Sequence, residues 1–173
     1  MSYAVRTNPA AGRVRAEQLP LLSDVDFALR LLVTAILAIA IGFEREFHGH
    51  PAGIKTLGLV GVGSCLFSGL GLEVFRGSTD PTRIAAQVVT GVGFLGAGAI
   101  LRQGNEVHGL TTAASIWVVA AIGMAVGFGF YVAAIFTTLL ILAMLFLLRP
   151  VEKLLFHRFR KIQDAVEVKI VPH

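Results

Sequence analysis

Long apolar runs alternate with short polar connectors along this chain. Five runs can be drawn as helices: Phe27–Phe43, Ile54–Leu72, Ile84–Leu101, Leu110–Gly127 and Phe128–Leu148. A run the length of the second covers about 28 Å at about 1.5 Å per residue, close to the ~30 Å hydrocarbon core of a bilayer. The fourth and fifth runs touch, and Gly127 and Gly129 around Phe128 mark the only plausible turn between them. That pattern predicts a tight antiparallel helical hairpin. Arg30 lies near one end of the first run, where its stem can snorkel to the headgroups.

Composition agrees. Of 173 residues, 55% are hydrophobic and only 15% charged, with a mean hydropathy of +0.75. A soluble domain carries about 25% charged residues. The charges that exist cluster before the first run, in the connectors and after Leu148. The expected fold is therefore an all-α integral membrane protein. It has a polar N-terminal tail (1–25), five transmembrane helices in a compact bundle (26–149) and a short basic amphipathic tail (150–173). In VEKLLFHRFRKIQ, Val151, Leu154, Leu155 and Phe159 share a helical face suited to the inner leaflet.

Charge sets orientation. Arg149, Lys153, Arg158, Arg160 and Lys161 follow the last span, which places the C-terminus in the cytoplasm and, with five spans, the N-terminus outside. Arg6, Arg13 and Arg15 argue mildly the other way. The net charge of +4 is membrane-facing, and nucleic-acid binding is not expected. A single cysteine, Cys65, excludes an intrachain disulfide and a cysteine-based metal site. No apolar signal core precedes Leu21, so the first span is expected to act as an uncleaved insertion signal.

The string GVGFLG, Gly91–Gly96, fits the Gly-x-Gly-x-x-Gly spacing of a dinucleotide loop. Such a loop needs a strand before it and an acidic residue about 20 positions on; here the glycines interrupt nothing in IAAQVVTGVGFLGAGAIL, and the later position falls in apolar TTAASIW. Glycines in spans permit close van der Waals approach instead. The expected packing faces are Gly91, Gly93, Gly96 and Ala97 on the third span, Gly61, Cys65 and Gly69 on the second, and Gly123 with Gly127 on the fourth.

Polarity held at the membrane edge carries the functional expectation. Glu44, Arg45 and Glu46 end the first span, and as helix neighbours Glu44 and Arg45 point apart, toward other spans. His48 and His50 in HGHPAG make a weak metal pair beside the simpler reading of a solvated loop. Asp80 suits an N-cap, Pro81 the first helical position and Arg83 the first turn. Gln87, one turn deeper, is expected to face the bundle interior. Arg102 is expected to close the third helix on the same side as Glu44 and Glu46, forming a polar cluster with them and Arg45. Thr111, Thr112, Ser115 and Trp117 open the fourth span; their hydroxyls either bond back to helix carbonyls or line a polar seam. No nucleophile with a base, no buried carboxylate pair and no phosphate loop is present, so neither enzyme activity nor a cofactor is expected.

The strings IGFERE, HPAGIKT, DPTRIAAQVVTGVGFLGAGAILR and VHGLTTAASIWVVAAIGMAVG, in this order, resemble the membrane domain of the MgtC/SapB family of bacterial inner-membrane proteins. The resemblance covers roughly Ala40 to Gly129. It implies a five-span domain, a role in adaptation to low magnesium and, in some members, survival inside macrophages. The motif positions are Glu44, Arg45, Glu46, Pro51, Gly53, Asp80, Pro81, Arg83, Gln87, Gly91, Gly93, Gly96, Arg102, Gly109, Thr111, Thr112 and Trp117. Lys55 and Leu57 depart from the arginine and histidine common in relatives. Virulence-linked members carry an ACT-like domain after the fifth span; residues 149–173 are too few for one, so the membrane domain alone is expected. The resemblance implies a non-enzymatic role in ion or magnesium homeostasis through another membrane complex, with the ATP synthase as the implied partner. The alternative is a small transporter or channel, formed as a homo-oligomer, with Gln87 and the threonines along its pathway.

Overall fold

The computed structural model describes residues 23–74, 80, 82–103 and 106–148. The N-terminal tail up to residue 22, Pro81 and the basic tail from residue 149 lie outside the described residues. Helices α1 (Asp24–Phe47), α2 (Ile54–Val74) and α3 (Thr82–Gly98) are followed by strands β1 (Leu101–Gln103) and β2 (Glu106–His108), then helix α4 (Leu110–Gly127). Helix α5 (Tyr131–Leu148) completes the described fold. Helices α1, α2, α4 and α5 are long and apolar enough to cross a bilayer. Helix α3 is shorter, at 17 residues, and rises about 26 Å. The chain is an all-α membrane protein with one small hairpin added.

Helix ends are set by capping, which hydropathy does not register. Ser23 starts α1: its hydroxyl accepts from the Asp26 amide at 3.1 Å and donates to the Asp26 carboxylate at 2.9 Å. Three residues therefore extend the helix before the apolar run that began at Phe27. At the other end α1 continues through its charged residues to Phe47. The expected third span through Leu101 instead stops at Gly98. Leu101–Gln103 pairs antiparallel with Glu106–His108, with Arg102 opposite Val107. Gly109 then returns the chain to α4 at φ +88, where a Cβ would run into the Ala99 carbonyl.

The expected turn at Phe128–Gly129 is present. The Phe130 amide reaches back to the Ala125 carbonyl at 2.7 Å and the Gly129 amide to Val126 at 2.9 Å, the two bonds of a Schellman close. Gly129 sits at φ +87, a conformation that costs an L-residue roughly 1–2 kcal/mol.

Three helices form the centre of the bundle: α2 packs most extensively on α4 and on α1, and α1 also meets α4. The α2–α4 contact is backbone on backbone. A Cβ on Gly123 would overlap the Gly61 carbonyl oxygen, and one on Gly127 would stand 2.7 Å from the Cys65 oxygen. Gly61 in turn accommodates Ala38, Val119 and Thr34, and Gly69 lies under the Phe27 ring. Ala38, Ile41, Leu57, Cys65, Val119, Ile122 and Val126 fill the remaining space. Leu32, Ile36, Phe67, Phe94, Phe136 and other large apolar residues cover the outside, as a lipid-facing surface requires.

Helix α3 corrects the packing face expected of the third span. It leans on α4 and touches α2 only sparsely. Gly96 packs on Ala113 and Val92 is buried. The Gly91 and Gly93 positions, however, have no atom within 4 Å of where a Cβ would stand, and Ala97 is exposed. Among the described residues, no neighbouring helix approaches the Cβ positions of Gly91 and Gly93, and Ala97 is exposed, so these three do not form the expected close-packing face. Spacing had placed small residues on a face but could not say what that face meets.

Candidate functional site at the α1–α4 junction

The last turns of α1 hold Glu44, Arg45 and Glu46, whose side chains diverge because successive residues on a helix are about 100° apart. Arg45 is 1% exposed, and its guanidinium donates from Nη2 to the Thr112 hydroxyl in the first turn of α4 at 2.7 Å. Glu44 is also buried; its Oε1 lies 3.5 Å from the His48 Nδ1, which also meets the Glu44 carbonyl oxygen at 2.8 Å. Glu46 turns the third way, and its carboxylate accepts from the Ile54 amide at 2.9 Å. It therefore caps α2 across the HGHPAG connector, where negative charge complements the helix dipole. Gly53 leaves room for this cap, since a Cβ there would press into the Glu46 side chain.

Burying a guanidinium costs several kcal/mol unless charge and hydrogen bonds offset it. The Thr112 bond offsets part of that cost here. Beside Arg45 a recess of about 260 Å³ opens between the end of α1, α4 and α5, lined by Arg45, His50, Thr111, Ser115, Met144 and Leu148. Phe47 and Phe146 flank His48 edge-on, at 5.2 and 6.5 Å between ring centroids.

A second arginine was not legible as a structural element. Arg30 does not run outward to the headgroups; its Nη1 donates to the Gly127 carbonyl at 2.6 Å, with the guanidinium 5.9 Å over the Tyr131 ring. It thus holds the C-terminal carbonyl end of α4, where a cation suits the dipole. Arg30 and Arg45 are fifteen residues apart on α1, and their partners, Gly127 and Thr112, are fifteen apart on antiparallel α4. The two arginines clasp α4 at both ends, about 22 Å apart. An ionisable residue near a span was the available signal, but sequence alone does not separate outward snorkelling from an inward cap.

The remaining expected residues are dispersed. Arg102 is on strand β1 and exposed, not at the end of α3. Trp117 is half exposed on the outer face of α4. Thr111 edges the recess. Asp80, Arg83 and Gln87 lie at the opposite end of the molecule, along a cleft between α2 and α3. Gln87 is exposed there and does not enter the bundle interior. The hydroxyls mostly bond back to their own helix: Thr34 to Arg30, Ser64 to Val60, Ser68 to Ser64, Ser115 to Thr111 and Thr138 to Ala134, at 2.8–2.9 Å. Among the described residues no group of three His, Cys, Asp or Glu is placed to hold a metal ion.

A helical bundle glycine-packed at its centre, with a buried acid and base at one end, defines a polytopic membrane protein. The chain belongs to the MgtC family, which it matches over residues 31–154. It is 49% identical over 127 residues to the Escherichia coli (strain K12) protein named "Putative magnesium transporter YhiD", a match covering 69% of this chain and 59% of that protein. It is 41% identical over 127 residues to SapB of Bacillus subtilis (strain 168), covering 69% of this chain and 55% of that one. With MgtC of Brucella abortus (strain 2308) it shares 41% over 141 residues, 80% of this chain and 59% of that one. The chain spans somewhat more than half the length of these curated relatives. No solved structure matches it. Glu44, Arg45, Glu46 and Thr112 all fall within the family match, and Arg30 lies one residue before it.

Proposed function

We infer that this protein serves magnesium or ion homeostasis in the bacterial inner membrane without enzymatic activity, by acting on another membrane complex. The observation that carries the reading is the closed centre of the bundle. Gly61 and Gly123 meet backbone to backbone there, and the buried hydroxyls around them are bonded to their own helices. A conduit along the bundle axis would need polar groups turned toward water. The magnesium connection comes from the name of the Escherichia coli relative. The partner implied by family resemblance is the ATP synthase. The outward face of α3, with the Gly93 position open among the described residues and Ala97 exposed, is the kind of small-residue surface another span can approach closely. Orientation follows the basic tail, putting the Glu44–Thr112 end and the C-terminus on the cytoplasmic side and the N-terminus outside.

The test has two arms. A deletion strain grown across magnesium concentrations should be rescued at the low end by the wild-type chain and not by Glu44→Ala present at equal abundance. Proteoliposomes containing only the purified chain should hold a magnesium gradient as long as empty vesicles do. Dissipation of that gradient by the chain alone would replace this reading with transport.

A further inference from the structure

Helices α2 and α3 meet where Ile84 packs over Gly71, and their sparse contact leaves a cleft of about 750 Å³ between them. Leu59, Val60, Gly63 and Phe67 form the α2 wall. On α3, Ile84, Gln87, Val88, Gly91 and Leu95 recur every three or four residues, so one helix face lines the other wall. Neither Gly63 nor Gly91 has an atom within 4 Å of its absent Cβ; the space over both glycines belongs to no part of this chain's described structure. Charged groups gather at one end only, where Asp80 and Arg83 stand with Gln87 a turn deeper; Ser64, midway along the α2 wall, donates its hydroxyl to the Val60 carbonyl of its own helix. From Arg83 to Leu95 the helix rises about 18 Å, about three-fifths of the ~30 Å hydrocarbon core and close to one leaflet with its headgroup boundary.

We propose that this cleft is the binding site of one membrane phospholipid, its acyl chains lying between Leu59, Phe67, Val88 and Leu95 and its headgroup at Asp80 and Arg83. Depth selects the occupant. A partner span would need a groove of the full ~30 Å, and an acid, a base and an amide grouped at one end would not serve it. A lipid of one leaflet matches both the length and the one-ended polarity. The Arg83 guanidinium suits a phosphate, which it can take in a bidentate fashion. The neighbouring Asp80 carboxylate disfavours a headgroup that is only anionic and favours one that also carries an ammonium. The headgroup class is therefore a phosphate bearing a primary ammonium, as in phosphatidylethanolamine, whose N–H groups the Asp80 carboxylate can accept and which the quaternary ammonium of phosphatidylcholine lacks. Gln87, deeper in the cleft, has donors at the level of the glycerol esters.

The experiment places the full chain in phosphatidylcholine nanodiscs containing spin-labelled phosphatidylethanolamine or phosphatidylglycerol, and reads the motionally restricted spectral component. The wild type should restrict phosphatidylethanolamine several-fold more than phosphatidylglycerol. Gly63→Leu and Gly91→Leu fill the cleft from opposite walls without meeting protein atoms at Cβ; both should abolish the restricted component while keeping the thermal stability of the wild type. Asp80→Asn should erase the preference between the two lipids, and Arg83→Gln should weaken both. A restricted component that survives both leucine variants would overturn the proposal. So would leucine variants that turn a dimer into a monomer, because the cleft would then belong to a second copy.

Discussion

Gly123→Ala tests the contact that closes the bundle. The added methyl would overlap the Gly61 carbonyl oxygen and stand 3.0 Å from its carbon and 3.2 Å from the Cys65 nitrogen. These are backbone atoms, so no rotamer change relieves the overlap, and α2 and α4 must move apart. Overpacking of this kind costs about 1–3 kcal/mol. Alanine regains at most about 1 kcal/mol of helix propensity, and less in lipid, where separated spans remain helical because their backbones have no other partner. The net loss is about 1–2 kcal/mol, or roughly 5- to 30-fold in the folding equilibrium. Gly63→Ala is the internal control: it lies on the same α2 helix with nothing within 4 Å of its Cβ, so it should be neutral or slightly stabilising. Reversible unfolding in mixed dodecyl sulfate and maltoside micelles, followed by tryptophan fluorescence, measures both. Equal midpoints for the two variants would refute a backbone-level contact between α2 and α4.

Two further outcomes follow from the clasp and the turn. Thr112→Val removes an acceptor from a nearly fully buried arginine; in the same unfolding assay it should lose about 1.5–3 kcal/mol, while Ser115→Ala, whose hydroxyl donates to its own helix, should lose less than half as much. Gly129→Ala forces a side chain into the left-handed region at φ +87 and should cost about 1–2 kcal/mol, read as a lower midpoint with unchanged helical circular dichroism.

The sequence made legible what depends on period and chemistry within one segment. Five apolar runs, the Phe128–Gly129 turn and the small faces of Gly61, Gly69, Gly123 and Gly127 all reappear in the fold. The divergence of Glu44 from Arg45 followed from helical geometry alone. What escaped depends on caps, on strands too short to show a period and on the neighbours a face meets. Hydropathy starts the first span at its first apolar residue, whereas Ser23 sets the real start by capping the Asp26 amide; the second span begins at Ile54 as its apolar run does, and Glu46 caps it there. The 101–108 hairpin has strands of three residues, too short for alternation to show. Gly93 and Ala97 share a face, but period gives no direction in the bundle, and the same gap sent Gln87 inward when it lies on an open cleft.

That outward direction has an energetic consequence. Glycine inside a helix costs roughly 0.5–1 kcal/mol relative to alanine, and at Gly61, Gly123 and Gly127 the close approach of neighbouring helices offsets it. At Gly63, Gly91 and Gly93 nothing in this chain's described structure occupies the vacated space. In a bilayer the matter beyond a helix is either lipid or another span, so any compensation must come from one of these. Gly63 and Gly91 open onto a cleft with a zwitterionic end, whereas Gly93 faces away from it. The two settings match different neighbours. One protein can thus carry a sealed centre for stability and, on the two proposals made above, a lipid in its lateral cleft and a separate bare helix face for another span, with α3 serving both outer surfaces.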